Sequence, residues 1–256
     1  NGGVYYYLAF KDLDEYVATG TYTGNATDNR SITGVGFEPD FVLTKNITAA
    51  NTASRRVRGH FNAVRGDSTS SLSHAVVNAT DVIQQMESDG FQVGATDIAN
   101  GSGDTIYYLA LGGTPTPTGS GTYSFNTGTY TGTGTSQAIT GVGFKPDLVI
   151  IKQVGTENAV FSTSVMASGN TANLGNTSAD FTGGLDSFDS DGFTVETNSA
   201  LNNSGSTYYW QAFGNAYSPL THSGSTDFLI GAYYGNGLAD RVLNLLPNSY
   251  DFAAIK

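Results

Sequence analysis

The chain has 256 residues, no cysteine, 11 basic against 22 acidic residues and a formal net charge of −11. These figures exclude disulfides and Cys-ligated metal, oppose binding to nucleic-acid phosphates, and leave no run of the roughly 20 apolar residues that a membrane-spanning helix needs. Only 13% of the residues are charged, while glycines number 33, tyrosines 15 and phenylalanines 14; that is the balance of a polar, weakly charged β-protein.

The chain opens on Asn1-Gly2-Gly3, with neither an initiator Met nor an apolar leader core. It reads as a processed product or as the ordered part of something longer. Tyr5-Tyr6-Tyr7-Leu8-Ala9-Phe10 then reads as a strand. Next comes a series of short β-branched or aromatic runs between Gly, Pro, Asn and Asp. The series is Gly20-Thr21-Tyr22-Thr23-Gly24, Ile32-Thr33-Gly34-Val35-Gly36-Phe37, Pro39-Asp40 leading into Phe41-Val42-Leu43-Thr44-Lys45, Ser88-Asp89-Gly90-Phe91-Gln92-Val93, and Ile106-Tyr107-Tyr108-Leu109-Ala110-Leu111. Only 75–88 has any helical character, and its Thr and Asn content weakens it.

The same order then returns. Gly128-Thr129-Tyr130-Thr131-Gly132, Ile139-Thr140-Gly141-Val142-Gly143-Phe144, Pro146-Asp147, Leu148-Val149-Ile150-Ile151-Lys152, Ser190-Asp191-Gly192-Phe193-Thr194-Val195 and Tyr208-Tyr209-Trp210-Gln211-Ala212-Phe213 match the first set. The chain therefore holds two copies of a unit of about 105 residues. Its ends hold parts of a further one. Residues 5–10 match the last strand of the unit, and 236–256 align without gaps on 25–45. The expected fold class is all-β: tandem β-sandwich or jelly-roll-like units, with partial units at both ends. The expected division is a terminal strand remnant at 1–19, repeat one at 20–127, repeat two at 128–223, and the N-terminal half of a third at 224–256.

These motifs, taken in order, resemble a β-rich repeat domain of unknown function found in phage tail-fibre and virion-surface proteins. The matching stretches are 22–25, 32–45, Val64-Arg65-Gly66, 88–93 and 100–111, and in the second copy 130–135, 139–152, 185–195 and 203–213. The resemblance covers nearly all of 20–215. It implies a β-rich structural domain with no defined enzymatic activity. The remnant at the start and the truncated third copy depart from the pattern and leave room for another extracellular filament.

Candidates for chemistry are few. The histidines are His60, His74 and His222, and no nucleophile elbow, zinc-protease helix or P-loop is present. The chain reads as no enzyme and as needing no cofactor. Asp186, Asp189 and Asp191, before a Gly, read either as a calcium loop or as an Asp-capped turn. Arg55, Arg56, Arg58 and Arg65 form a basic patch in an acidic chain, either a docking surface for an acidic neighbour or a solvated loop. Tyr107, Tyr208 and Trp210 are candidate glycan contacts, or else aromatics buried on both faces of a strand. Asn-x-Ser/Thr triplets begin at Asn25, Asn29, Asn46, Asn78, Asn100, Asn176 and Asn202; they are glycan acceptors if the source glycosylates its surface proteins.

The ends suggest assembly. The orphan strand carries Val4, Tyr5, Tyr6, Tyr7, Leu8 and Phe10; its natural neighbours carry Tyr233, Tyr234, Phe252 and Ile255. If these lie apart in one subunit, the strand of one molecule completes the half-unit of the next, giving a head-to-tail filament. Deletion of 1–10 would then abolish polymers and leave both central units folded. The alternative is a slice of a longer repeat array. The expected function is a non-enzymatic structural subunit of an extracellular filament or virion appendage, at the cell exterior or virion surface. Its partner would be itself or neighbouring structural proteins, with no nucleic acid and no membrane insertion. The rival reading is a carbohydrate-binding adhesin that recognises cell-surface glycans.

Overall fold

The structure is a computed structural model that describes residues 3–11, 16–49, 57–61, 67–73, 75–76, 78–112, 124–175, 178–214, 216–217, 225–236 and 252–255, with the backbone alone at 60–61, 216–217, 225–227 and 252–255. It opens with β1 (Val4–Phe10). The first repeat follows as β2 (Val17–Thr23), β3 (Arg30–Thr33), β4 (Phe41–Asn46), β5 (Arg58–Phe61), β6 (Ser70–Ser71), β7 (Ile83–Glu87), β8 (Gly90–Val93), the one-turn helix α1 (Asp97–Asn100) and β9 (Thr105–Leu111). The second runs through β10 (Ser124–Thr131), β11 (Gln137–Thr140), β12 (Pro146–Gln153), β13 (Val160–Thr163), β14 (Ala172–Asn173), β15 (Leu185–Asp189), β16 (Gly192–Val195), α2 (Ser199–Asn202) and β17 (Thr207–Gly214). The chain ends with β18 (Ala216–Tyr217), β19 (Ser225–Tyr234) and β20 (Phe252–Ile255).

Each repeat is a sandwich of two sheets. A five-stranded main sheet, ordered β2-β9-β4-β5-β6 or β10-β17-β12-β13-β14, is backed by a three-stranded sheet, β3-β8-β7 or β11-β16-β15. The segment with helical character carries β7 and no helix. Its Thr and Asn disfavour helix, and Ile83 and Met86 pair across to Val93 and Phe91. The helices that do form are single turns, too short for a periodic signal. β2 and β10 begin at Val17 and Ser124, a few residues ahead of the boundaries read from the motifs.

The two partial units join. β1 lies between β19 and β20, antiparallel to both, in a third main sheet ordered β18-β19-β1-β20. This reproduces β2-β9-β4 in a permuted chain order. The register is the same as well: Phe41 opposes Leu111, Leu148 opposes Phe213, and Phe252 opposes Phe10. The expectation that the end strands pair between subunits is therefore corrected. The tail strand completes the half-unit of its own chain, because its two edges are both taken by intramolecular ladders.

Strand alternation gives each main sheet two apolar faces. The inner faces of all three meet in one core, with Val17, Phe41, Leu109 and Leu111 from the first sheet, Phe125, Leu148, Ile150 and Phe213 from the second, and Phe10, Phe228 and Ile230 from the third. Phe10 stacks on Phe228 at 4.8 Å and meets Phe213 at 5.4 Å. The outer faces build separate cores against the small sheets, around Phe91 and Ala110 in one repeat and around Phe193 and Trp210 in the other. Tyr7, Ala9 and Leu229 occupy that face of the third sheet.

One contact recurs in all three main sheets. A Cβ on Gly20 would lie 2.5 Å from Tyr108 Oη, and one on Gly128 2.5 Å from Trp210 Cζ2; one on Gly231 would strike Tyr7 Oη closer still. Each glycine is the floor on which the cross-strand aromatic lies, so a side chain there would displace the ring.

Phe10→Ala is expected to cost about 3–5 kcal/mol in urea unfolding, as a large ring is lost from a shared core. Removal of residues 3–10 is expected to abolish the cooperative melt followed by circular dichroism, because the central strand of the third sheet goes with them.

Candidate functional site

The repeated turn motifs form one hydrogen-bonded device. In the first repeat, Asp89 Oδ1 accepts from the Gly36 amide at 2.7 Å and Oδ2 from the Gly34 amide at 3.0 Å. In the second, Asp191 accepts from Gly143 and Gly141 at 2.7 and 3.1 Å. The two amides point at one carboxylate because both glycines have positive φ, 85° and 92° in the first repeat, a conformation other residues resist. The amides of Gly36 and Gly34 hold the Asp89 carboxyl below the usual carboxylate range.

The aspartates read as a calcium loop or an Asp-capped turn have these partners. Asp191 caps a turn. Asp189 accepts from the Ser187 and Thr194 hydroxyls at 2.9 and 2.8 Å. Asp186 is exposed, and its main-chain carbonyl accepts from Ser168. The carboxylates of Asp189 and Asp191 thus serve different partners. Among the described residues no three His, Cys, Asp or Glu side chains are placed to hold a metal ion.

A second device is a buried asparagine latch. Asn100 Nδ2 donates to the Thr27 and Gly94 carbonyls, and its Oδ1 accepts from the Asn25 amide and Arg30 Nη1, all at 2.8–3.0 Å. Asn202 repeats this, donating to Thr135 and Glu196 and accepting from the Thr133 amide. The Tyr22 and Tyr130 hydroxyls donate to the carbonyls of Ala99 and Leu201 and tie β2 and β10 to the helices. Asn46 is equally buried, donating to the Asp97 carbonyl and Asp104 Oδ2. Asn46, Asn100 and Asn202 are thus no glycan acceptors in the folded chain, since the nitrogen a sugar would take is buried and bonded. Asn25 and Asn29 are exposed, Asn78 is half-buried, and Asn176 lies outside the described residues.

The remaining candidates separate. Tyr208 is fully buried, stacked on Tyr130 at 5.0 Å with its hydroxyl donating to the Ser199 carbonyl. Trp210 is 4% exposed and lies over Gly128. Both are core residues, which corrects their reading as glycan contacts; Tyr107 alone of the three is open, at 51%. Arg58 is buried on β5 and presents no docking surface. Arg55, Arg56, Arg65, His74 and His222 lie outside the described residues, as does the side chain of His60. Of the assembly strand, Phe10 and Tyr7 are buried, whereas Val4, Tyr5 and Tyr234 are exposed, Tyr234 at 72%. Val4 is the cross-strand partner of Tyr234, and Tyr5 stacks on Tyr233 at 5.2 Å.

The inner faces of the main sheets also enclose a site that no motif announced. At one end the shared core is filled by phenylalanines. Toward the other, the inward positions of β2 become Thr19 and Thr21, those of β9 end in Tyr107, and those of β4 end in Lys45. Between the sheets a cavity of about 710 Å³ opens there, walled by Leu8, Leu43, Ile47, Val57, Ile150 and Leu174, with Phe161 and Thr163 contributed by β13. The equivalent of Lys45 in the second repeat, Lys152, is fully buried, and its Nζ donates to the carbonyls of Gln153, Gly155 and Glu157 at 2.6–3.0 Å. Aligned inward positions of the repeats were the available signal for this site, read as a column down the sheets instead of along each motif.

Asn100→Ala is expected to cost about 2 kcal/mol or more in denaturant unfolding, because buried main-chain groups lose their partners. Asp89→Asn is expected to lower the unfolding midpoint at pH 6. The folded carboxyl has a depressed pKa, so its contribution is present above the unfolded value of ~3.9 and fades as pH falls through the folded value. The deficit of Asp89→Asn should therefore shrink below pH ~3.9, measured as urea midpoints across that range.

The model of the family described as "Domain of unknown function (DUF7483)" matches residues 12–111 and again 120–242. No curated protein and no solved structure matches the chain. The two matched regions coincide with the two sandwich repeats and, between them, cover most of the sequence: the chain belongs to the DUF7483 family, carrying its domain twice in tandem.

Proposed function

We propose that the protein is a non-enzymatic structural module of an extracellular filament or virion appendage, built to be rigid and to pack against like or neighbouring modules. The observation that carries this reading is the closure of the chain: its first and last strands pair, so that three repeat-derived sheets bury one core. Contact between modules goes through folded surfaces, with the exposed corner of Val4, Tyr5 and Tyr234 as an apolar contact patch. The exposed Tyr107 favours the adhesin reading, in which one aromatic face stacks on a sugar ring.

One experiment separates the two. Purified protein is followed by analytical ultracentrifugation and negative-stain imaging at rising concentration, and screened on a glycan array. The structural reading expects end-to-end particles that Tyr234→Asp disperses with no change in melting temperature. A monomer at every concentration, with a sugar signal lost on Tyr107→Ala, overturns it in favour of the adhesin.

A further inference from the structure

Among the described residues, the exposed large apolar side chains are Val4, Tyr5, Ile47, Tyr107, Val154 and Tyr234. All stand at one end of their sheets, where β1, β9 and β17 begin. Val4 opposes Tyr234, and the amides of Ile47 and Val154 bond to the Thr105 and Thr207 carbonyls. Sheet register repeats an aromatic at this end: Tyr107 opposes Thr21, Tyr209 opposes Thr129, and Tyr6 opposes Ala232. Tyr6 and Tyr107 both line the cavity, so the apolar end and the cavity mouth meet. We propose that they form a binding site for a neutral glycoside with an apolar aglycone, the sugar ring at the mouth and the aglycone in the chamber. This rests on the adhesin reading of Tyr107 and names the ligand class; an assembled module can carry the site equally.

Mouth and chamber differ in chemistry. The Tyr6 hydroxyl donates to Asp180 Oδ2 at 3.3 Å, while Tyr107, 51% exposed, presents a ring on which the C–H face of a pyranose can lie. Thr21 and Tyr107 bring hydroxyls to the rim, each able to donate and to accept, as sugar hydroxyls require. Lys45 is the charged residue of the described lining, and it already has a partner within the chain. That leaves a neutral head group, and the net charge of −11 opposes an acidic one. Further in, the walls are Leu8, Leu43, Ile150, Phe161 and Leu174, and Thr163 has its hydroxyl oxygen sealed off from the space. Sugar hydroxyls pushed against these walls would lose their partners, so this part takes the aglycone. The whole volume of about 710 Å³ falls in the range of small-molecule sites, roughly 300–1,000 Å³.

Octyl glucoside (below its micelle-forming concentration), methyl glucoside and octan-1-ol are titrated into the full chain by isothermal calorimetry and thermal shift. Octyl glucoside is expected at one site per chain, about a hundredfold or more tighter than methyl glucoside as its methylenes are buried. It is also expected about fivefold tighter than octan-1-ol, the advantage of one stacked ring. Tyr107→Ala should remove the advantage over octan-1-ol and keep that over methyl glucoside. Leu43→Trp should fill the chamber and bring the two glucosides level, with folding of both variants checked by circular dichroism. Equal binding of the two glucosides by the unmodified chain overturns the proposal and leaves the adhesin reading standing. Octyl glucoside that binds no tighter than octan-1-ol, and is indifferent to Tyr107→Ala, overturns both. Neither heat nor thermal shift with any of the three overturns the proposal, while a Tyr107-dependent signal on the glycan array would still sustain the adhesin reading.

Discussion

The architecture depends on one strand being hydrogen-bonded along both edges. β1 runs between β19 and β20, and through it the inner face of a third sheet is presented to the other two. Two sandwiches side by side would leave the apolar inner faces around Leu109, Leu111, Phe125 and Phe213 open to water. The third sheet covers them, and the Phe10–Phe228 stack is its deepest contribution. The main-chain ladders fix register, and the register decides which side chains look inward. A slip by one residue would turn Phe10 and Leu8 outward and bring Tyr7 and Ala9 to the core.

Around this frame the repeats spend their polar residues alike. The Asp–Gly–Gly turn and the buried asparagine latch occur in both complete copies with matching main-chain partners, the first latch taking in the Arg30 guanidinium as well. Both answer one physical demand, that main-chain groups withdrawn from water find partners. The copies differ along the inner column, where Lys45 stands at a cavity and the Nζ of Lys152 donates to carbonyls of its own loop.

Much of this was legible in the sequence. The gapless match of 236–256 to 25–45 anticipated that the last strand stands to β1 as β4 stands to β9, and the structure has that register. Alternation marked Phe91 and Val93 as inward residues of a half-wet strand, and both are buried. Three things were hidden. Repeat arithmetic shows that two half-units belong together, but whether they meet in one chain or between two is a matter of three-dimensional distance. A two-faced main sheet also looks the same in sequence whether its second face meets a small sheet or a shared core, which is why Tyr208 and Trp210 read either as glycan contacts or as aromatics buried on both faces of a strand. And a triplet such as Asn100-Gly101-Ser102 carries no mark of burial; only the fold shows its amide locked between Thr27 and Gly94.

The permuted third sheet has a consequence in time. During synthesis β1 emerges ahead of its two neighbours in the sheet, which lie more than two hundred residues downstream. Each sandwich repeat can collect its own small-sheet core as it leaves the ribosome, but Leu8 and Phe10 must wait until both repeats and then β19 and β20 are made. Closure across so long a stretch is slow, and a waiting apolar strand invites pairing with the wrong chain. The most consequential ladder in the finished molecule is thus the last to form. The interval before it closes is when a nascent chain is most exposed to mispairing and has most to gain from a chaperone that shields β1.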